Sequence, residues 1–441
     1  MRQKQMAIKS LYLDTGRKLS GLLFCFLILG CAENRLLMPT PNYYTEEAAV
    51  LFETLPDEYA STQVELIYVT DRAPERDEEG KLRYGYNRSN SLAVGTAIVD
   101  LGGDNSWDDL VDASQTNDRT LDFEPRLVSI KEFARLPPTP FPFQIIEGVI
   151  VEDPKVVAEN RASLVKLQAE ARRRLALSPQ KDAFIFIHGF NNSFEDATFT
   201  LAEIWHFLGR EGLPIVYTWP AGYPGIFGYT YDRESSEFTV FHLKQLIKWL
   251  AAQPEIEDIH ILAHSRGTDV AVSALRELII GARGDGDGGG IREKLKIKNF
   301  VMAAPDLDTQ VIGQRIAAER LTQGIDQVTI YTSPNDNAIG LAELLFASPR
   351  GRLGTFDVED LKSSEAKQLQ SNEGRVAIIS FDGEQSSGHG HDYFRTNEAV
   401  SSDIILMLRY GYRPGDRERP LEDLGFNFWR VPENYPAGAD N

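Results

Sequence analysis

The sequence predicts an α/β fold, with a mostly parallel central sheet and helices on both faces. Two observations predict it. Short, almost wholly apolar runs recur, among them AFIFIHGF (183–190), PIVYTWP (214–220) and DIHILA (258–263). Between them lie stretches with apolar residues three and four apart, such as FTVFHLKQLIKWLAAQ (238–253). A strand that is apolar on successive residues has to be buried on both sides, and a parallel sheet sandwiched by helices provides that burial. Ligand chemistry in such sheets gathers just beyond the carboxyl ends of the strands.

The elements follow in order. Residues 1–30 carry Arg2, Lys4, Lys9, Arg17 and Lys18 against a single Asp14, then the apolar run LLFCFLILG and Cys31. That run suits the core of a secretory signal better than a membrane-spanning helix. Ile28-Leu29-Gly30-Cys31 resembles a bacterial lipobox, which makes Cys31 the expected lipidation site. Residues 31–60 read as a tether. VELIYVTDRAP (64–74) and NSLAVGTAIVD (90–100) read as strands, residues 101–140 as acidic loops, and FQIIEGVIVE (143–152) as an edge strand. An amphipathic helix is predicted over 156–176 and another over 194–209. After the DIHILA strand comes a helix from Arg266 to Ala282, then three strand-and-loop units at 298–308, 327–338 and 375–383. GARGDGDGGG (281–290) lacks the spaced ligands of a calcium loop and reads as a surface connection. The α/β domain is expected to span 61–410, with 411–441 as a tail packing through Phe426 and Trp429.

Composition narrows the function. A net charge of −19 over 441 residues offers no excess of cations for phosphates, which excludes nucleic acid as a partner. The only two cysteines are Cys25 and Cys31, so no disulfide is expected once a signal is removed, and no Cys/His cluster has metal-ligand spacing.

Ser265 lies in AHSRG (263–267), where a strand meets a helix. A nucleophilic serine needs a sharp turn there, with small residues two positions to either side; Ala263 and Gly267 fit that pattern. The other reading is a serine that merely caps the helix. Acyl transfer also needs an acid and then a histidine, each after a later strand. Asp336 in TSPNDNA and His391 in SSGHGHDYF meet that order, with Asp306 and His389 as alternatives. Oxyanion donors are expected from the backbone of Arg266 and of Phe190 or Asn191, in the FIHGFNNS loop held by His188. His206, His242 and His260 read as structural and His264 as packing, while Trp219 to Tyr231 is a candidate lining or lid.

HGF, AHSRG, ND and HGHDYF in that order resemble an α/β-hydrolase. With VELIYVTDRAPE, YTWPAG, YTYDRES and AAPDLD, they resemble specifically the bacterial α/β-hydrolase family without assigned function, over roughly residues 60–400. The resemblance implies a serine-hydrolase mechanism and favours His391 over His389. The expected protein is therefore an esterase acting on a small-molecule or lipid ester without metal or organic cofactor. It is expected to be lipid-anchored in a bacterial cell envelope, with the outer membrane favoured. Two rival readings are an acyltransferase or thioesterase with the same residues, and a non-catalytic envelope scaffold.

Overall fold

The computed structural model describes residues 35–45, 51–52, 55–225, 227–284, 290–336, 339, 351–356, 374–383, 390–432 and 434–436. The expected signal segment, Cys31 and His389 lie outside the described residues. Residues 37–441 form one compact unit.

Its centre is an eleven-stranded sheet. In chain order the strands are β1 (Gln63–Arg76), β2 (Leu82–Asp100) and β3 (Arg126–Arg135), then the separate pair β4 (Phe143–Ile146) and β5 (Val149–Glu152). They continue with β6 (Ala183–Ile187), β7 (Leu213–Thr218), β8 (Ile259–His264), β9 (Ile297–Ala303), β10 (Ile325–Thr332), β11 (Val376–Ser380), β12 (Glu422–Gly425) and β13 (Phe428–Arg430). Across the sheet the order is β12-β13-β11-β10-β9-β8-β6-β7-β1-β2-β3. All pairs from β13 to β1 are parallel, and the antiparallel pairs sit at the two margins. The predicted mostly parallel α/β sheet is what forms.

Alternation along each strand feeds two cores. Ile67, Ile185 and Ile261 face helices α2 (Pro154–Leu177), α4 (Gly228–Ala251) and α5 (Gly267–Gly284). Leu66, Phe184 and Leu262 face α1 (Trp107–Ala113), α3 (Phe194–Phe207) and α6 (Glu398–Tyr410). Local chemistry starts several of these helices. Ser193 caps α3 by accepting from Asp196 N–H while the Asp196 carboxylate accepts from Ser193 N–H, a reciprocal cap.

The order reverses at β6. The chain moves one way to β7 and later returns on the other side with β8, so the loops after β6 and β8 diverge at a switch point, where α/β sheets open a crevice. Because β8, β9, β10 and β11 are parallel, the residues that follow each of them emerge along one edge.

Four expectations need correction. Residues 101–140 are not loops throughout: α1 and β3 lie within them, and β3 is a half-exposed strand that only its pairing with β2 defines. FQIIEGVIVE is a two-stranded hairpin apart from the main sheet, turning at Glu147 (φ 53°) and Gly148 (φ 82°). The tether reading fails at Leu37, Met38, Tyr44 and Tyr59, which are buried in the core, and Leu37 N–H donates to Phe123 O at 2.8 Å. The tail joins the sheet through β12 and β13. There Phe428 is the buried anchor and Phe426 sits exposed in the turn at φ 56°.

Candidate active site

Ser265 follows the fully buried strand β8 and adopts φ 51°, in the left-handed region that a non-glycine residue enters at a cost of about 1–3 kcal/mol. Neighbours hold it there. Its N–H donates to Ala303 O at 2.9 Å, and its carbonyl accepts from Thr268 N–H at 3.1 Å and Thr268 Oγ1 at 2.6 Å. The small residues around it have steric reasons. A Cβ on Gly267 would sit 2.3 Å from His188 O, and one on Gly189 would sit 2.7 Å from Ser265 Cβ. Gly267→Ala should therefore push α5 away from β6 by about 1 Å, a displacement able to cost on the order of 10²-fold in rate. The rate of any reaction carried by Ser265, in a variant that still unfolds cooperatively, would measure this, and an unchanged rate would refute it.

Asp336 and His391 come together from the loops after β10 and β11. His391 Nδ1 lies 2.7 Å from Asp336 Oδ2, and Ile339 N–H donates to Asp336 Oδ1 at 3.0 Å. Burial is the largest influence on His391 and favours its neutral form. The hydrogen bond and charge of Asp336, with Asp392 and Asp306 behind them, outweigh it and raise the pKa above 6.5. The ring packs at 4.7 Å on that of His264, the residue before the serine. Burial first, then the charge of His391, depresses His264 to about 4, so it packs as a neutral ring. Among the described residues, no hydrogen bond joins the Ser265 hydroxyl to His391. In unliganded sites this contact is often long and tightens around substrate.

Asp306, the alternative acid, is tied elsewhere: its carboxylate pairs with the Arg352 guanidinium and approaches Arg266 at 3.8 Å.

The match to known proteins agrees with this architecture. Residues 164–409, more than half of the 441, match the family described as alpha/beta hydrolase of unknown function (DUF900). The chain belongs to this family. No curated protein matches it.

In this α/β-hydrolase the loop after β6 runs against the elbow, as the Gly189–Ser265 approach requires. Its backbone donors separate into two kinds. Asn191 N–H donates to Asp232 Oδ2 at 3.1 Å and is committed. The N–H groups of Phe190 and Arg266 donate to no protein acceptor among the described residues. Of the two expected loop donors, Phe190 alone is therefore left with a disengaged amide.

Sequence reasoning has His188 holding this loop but gives no role to Arg72 or Asp232, which also set it. Arg72, 1% exposed, donates to Gly85 O (2.8 Å), Ala221 O (2.9 Å) and Asn192 O (2.8 Å). Asp232 accepts from Gly222 N–H at 3.0 Å as well as from Asn191. Trp219 stacks on His188 at 5.1 Å and donates its indole N–H to His188 O at 2.7 Å. Burial, then Arg72, holds His188 well below the usual histidine value, so it supports the loop as a neutral ring. The VTDRAPE and YTYDRES segments carry Arg72 and Asp232, but a burial-dependent role leaves no local pattern in a single sequence. Of the candidate lid segment, Trp219 is buried, Phe227 is exposed, and Tyr229 packs on Phe190 at 5.4 Å beside Asp306.

The remaining histidines are held by buried partners: His206 by Ser114 (2.8 Å), His242 by Asp71 (2.9 Å) and His260 by Asp182 (3.1 Å). Among the described residues, no cluster of three His, Cys, Asp or Glu side chains is arranged to hold a metal ion.

Proposed function

We propose that this α/β-hydrolase is a serine esterase. The observation that carries the reading is a serine held at φ 51° on the strand edge that also bears the His391–Asp336 pair. In this reading Ser265 Oγ bonds to the carbonyl carbon of a carboxylic ester while its proton passes to His391. Asp336 holds the imidazole in place and stabilises its charged form. The N–H groups of Phe190 and Arg266 receive the oxyanion. Collapse of the tetrahedral intermediate expels the alcohol, which takes the proton from His391. Water, deprotonated by the same ring, then hydrolyses the acyl-enzyme. The residues invoked supply every proton transfer, and no metal or cofactor enters a step.

The test is labelling with a fluorophosphonate probe beside hydrolysis of short p-nitrophenyl esters. Wild type should label and turn over, and Ser265→Ala should do neither. A folded wild type that resists the probe would refute the esterase reading.

The lipobox-like ILGC also supports a lipid anchor at Cys31 in a bacterial envelope. Among the described residues no helix is long and apolar enough to cross a membrane. Cys31→Ala is expected to move the protein from the membrane pellet to the soluble fraction; an unchanged pellet fraction would rule the anchor out.

A further inference from the structure

A cavity lies away from Ser265, on the face of the sheet covered by α2 and α4, with a volume of about 580 Å³. Val94 of the sheet, Leu164 and Leu167 of α2 and Trp249 of α4 line it, and Phe143 and Ile150 of the β4–β5 hairpin border it. That volume suits a small molecule. None of its lining residues belongs to the Ser265 site, and binding there needs none of the serine chemistry.

The hairpin over this cavity is apolar on both sides. Ile145 pairs with Ile150 and Ile146 with Val149, so successive pairs face opposite ways. They are 69%, 65%, 51% and 63% exposed respectively. Large aliphatic side chains rarely stand so free on both faces of a soluble surface element. The apolar lining thus continues from the interior, through Phe143 and Ile150, onto the outside of the hairpin.

The polar groups inside narrow the ligand class. His242, on the cavity wall, is satisfied by Asp71 at 2.9 Å and by Thr139 Oγ1 at 3.1 Å. The Asn160 side-chain oxygen is buried with no hydrogen-bond partner. Gln245, Lys248 and Glu152, all three exposed, add an amide, one cation and one anion at the rim of the lining. A peptide would bring a donor and an acceptor with every residue, and this interior could satisfy very few of them. An aliphatic chain brings none along its length, and a small head group can use Asn160, Lys248 and Glu152.

We propose that this cavity binds a single aliphatic chain of a lipid, with the hairpin as its entrance. The chain could come from a free fatty acid or from an acylglycerol. The full-length protein in its native membranes would be exposed to a photoactivatable palmitic acid, irradiated, digested and mapped by mass spectrometry.

Adducts are expected on peptides from 141–167 and 241–252, in wild type and equally in Ser265→Ala. Leu164→Trp, which fills the cavity, should reduce them at least tenfold. Ile150→Ser, on the exposed hairpin and without cost to the core, should reduce them severalfold. Competing saturated fatty acids should gain about fourfold in potency per methylene until the cavity is full. Competition by palmitate or by monopalmitin would identify the head group preferred. Adducts absent from these two segments, or undiminished in folded Leu164→Trp, would overturn the proposal. So would adducts lost in Ser265→Ala, which would assign the lipid to the serine site. Labelling displaced by peptides and not by fatty acids would assign the hairpin to a protein partner instead and equally overturn it.

Discussion

His391→Ala is expected to lower kcat for p-nitrophenyl esters on the order of 10⁶-fold, and Asp336→Asn about 10⁴-fold, with little change in KM. The asymmetry has a geometric origin. In the proposed mechanism the imidazole moves the proton in both half-reactions, whereas Asp336 acts on it through one 2.7 Å contact and its charge. The pH profile separates this role from a structural one. His391 has to be neutral to accept a proton, so activity should rise with pH through its pKa. Asp336, with Asp392 and Asp306, holds that pKa above 6.5 against the opposing pull of burial. The acid limb of kcat/KM for wild type should therefore lie above pH 6.5. In Asp336→Asn it should move down, because the group that raises the pKa is gone while burial remains. An acid limb that does not move, or His391→Ala retaining most of its rate, would remove His391 from the mechanism.

Arg419→Met is expected to destabilise the fold by about 3–5 kcal/mol. Arg419 and Asp403 are both fully buried, and Arg419 Nη2 meets Asp403 Oδ2 at 2.7 Å. Tyr331 and Tyr435 donate to the same carboxylate, at 2.5 Å and 2.6 Å. Removing the guanidinium leaves a carboxylate in the interior that the two phenols alone cannot balance. The pair also ties the segment leading to β12 and β13 onto α6, so its loss loosens that sheet edge. Urea unfolding should show a lower midpoint with an unchanged slope. Arg419→Met combined with Asp403→Leu should recover much of the loss, since no charge is then left unpaired. A single variant as stable as wild type would show the pair to be dispensable.

Ser265, Asp336 and His391 stand out in the sequence by their order and by lying past predicted strand ends, both of which are local properties. Once the strands are parallel, those positions have to share an edge. The choice between Phe190 and Asn191 is not local, because it turns on Asp232, forty-one residues further on, accepting the Asn191 amide. Asp306 and Asp336 likewise look alike until Arg352 closes on Asp306. Neither the hairpin's detachment nor the burial of Leu37, Met38, Tyr44 and Tyr59 is legible either, since apolar residues in a short run do not say which surface will cover them.

The sequence by itself determined the strand and helix periodicities, the turn at Ser265 and the order of the candidate site residues. Each depends on neighbours a few positions away: the spacing of apolar side chains, and the small residues that let a serine enter the left-handed region. The tertiary structure alone decided which amides stay disengaged, which carboxylate meets the histidine, and where Arg72 and Arg419 are buried. Those outcomes depend on groups brought together from distant parts of the chain, and whether a charge or an N–H is paired is settled only when packing has placed its partner.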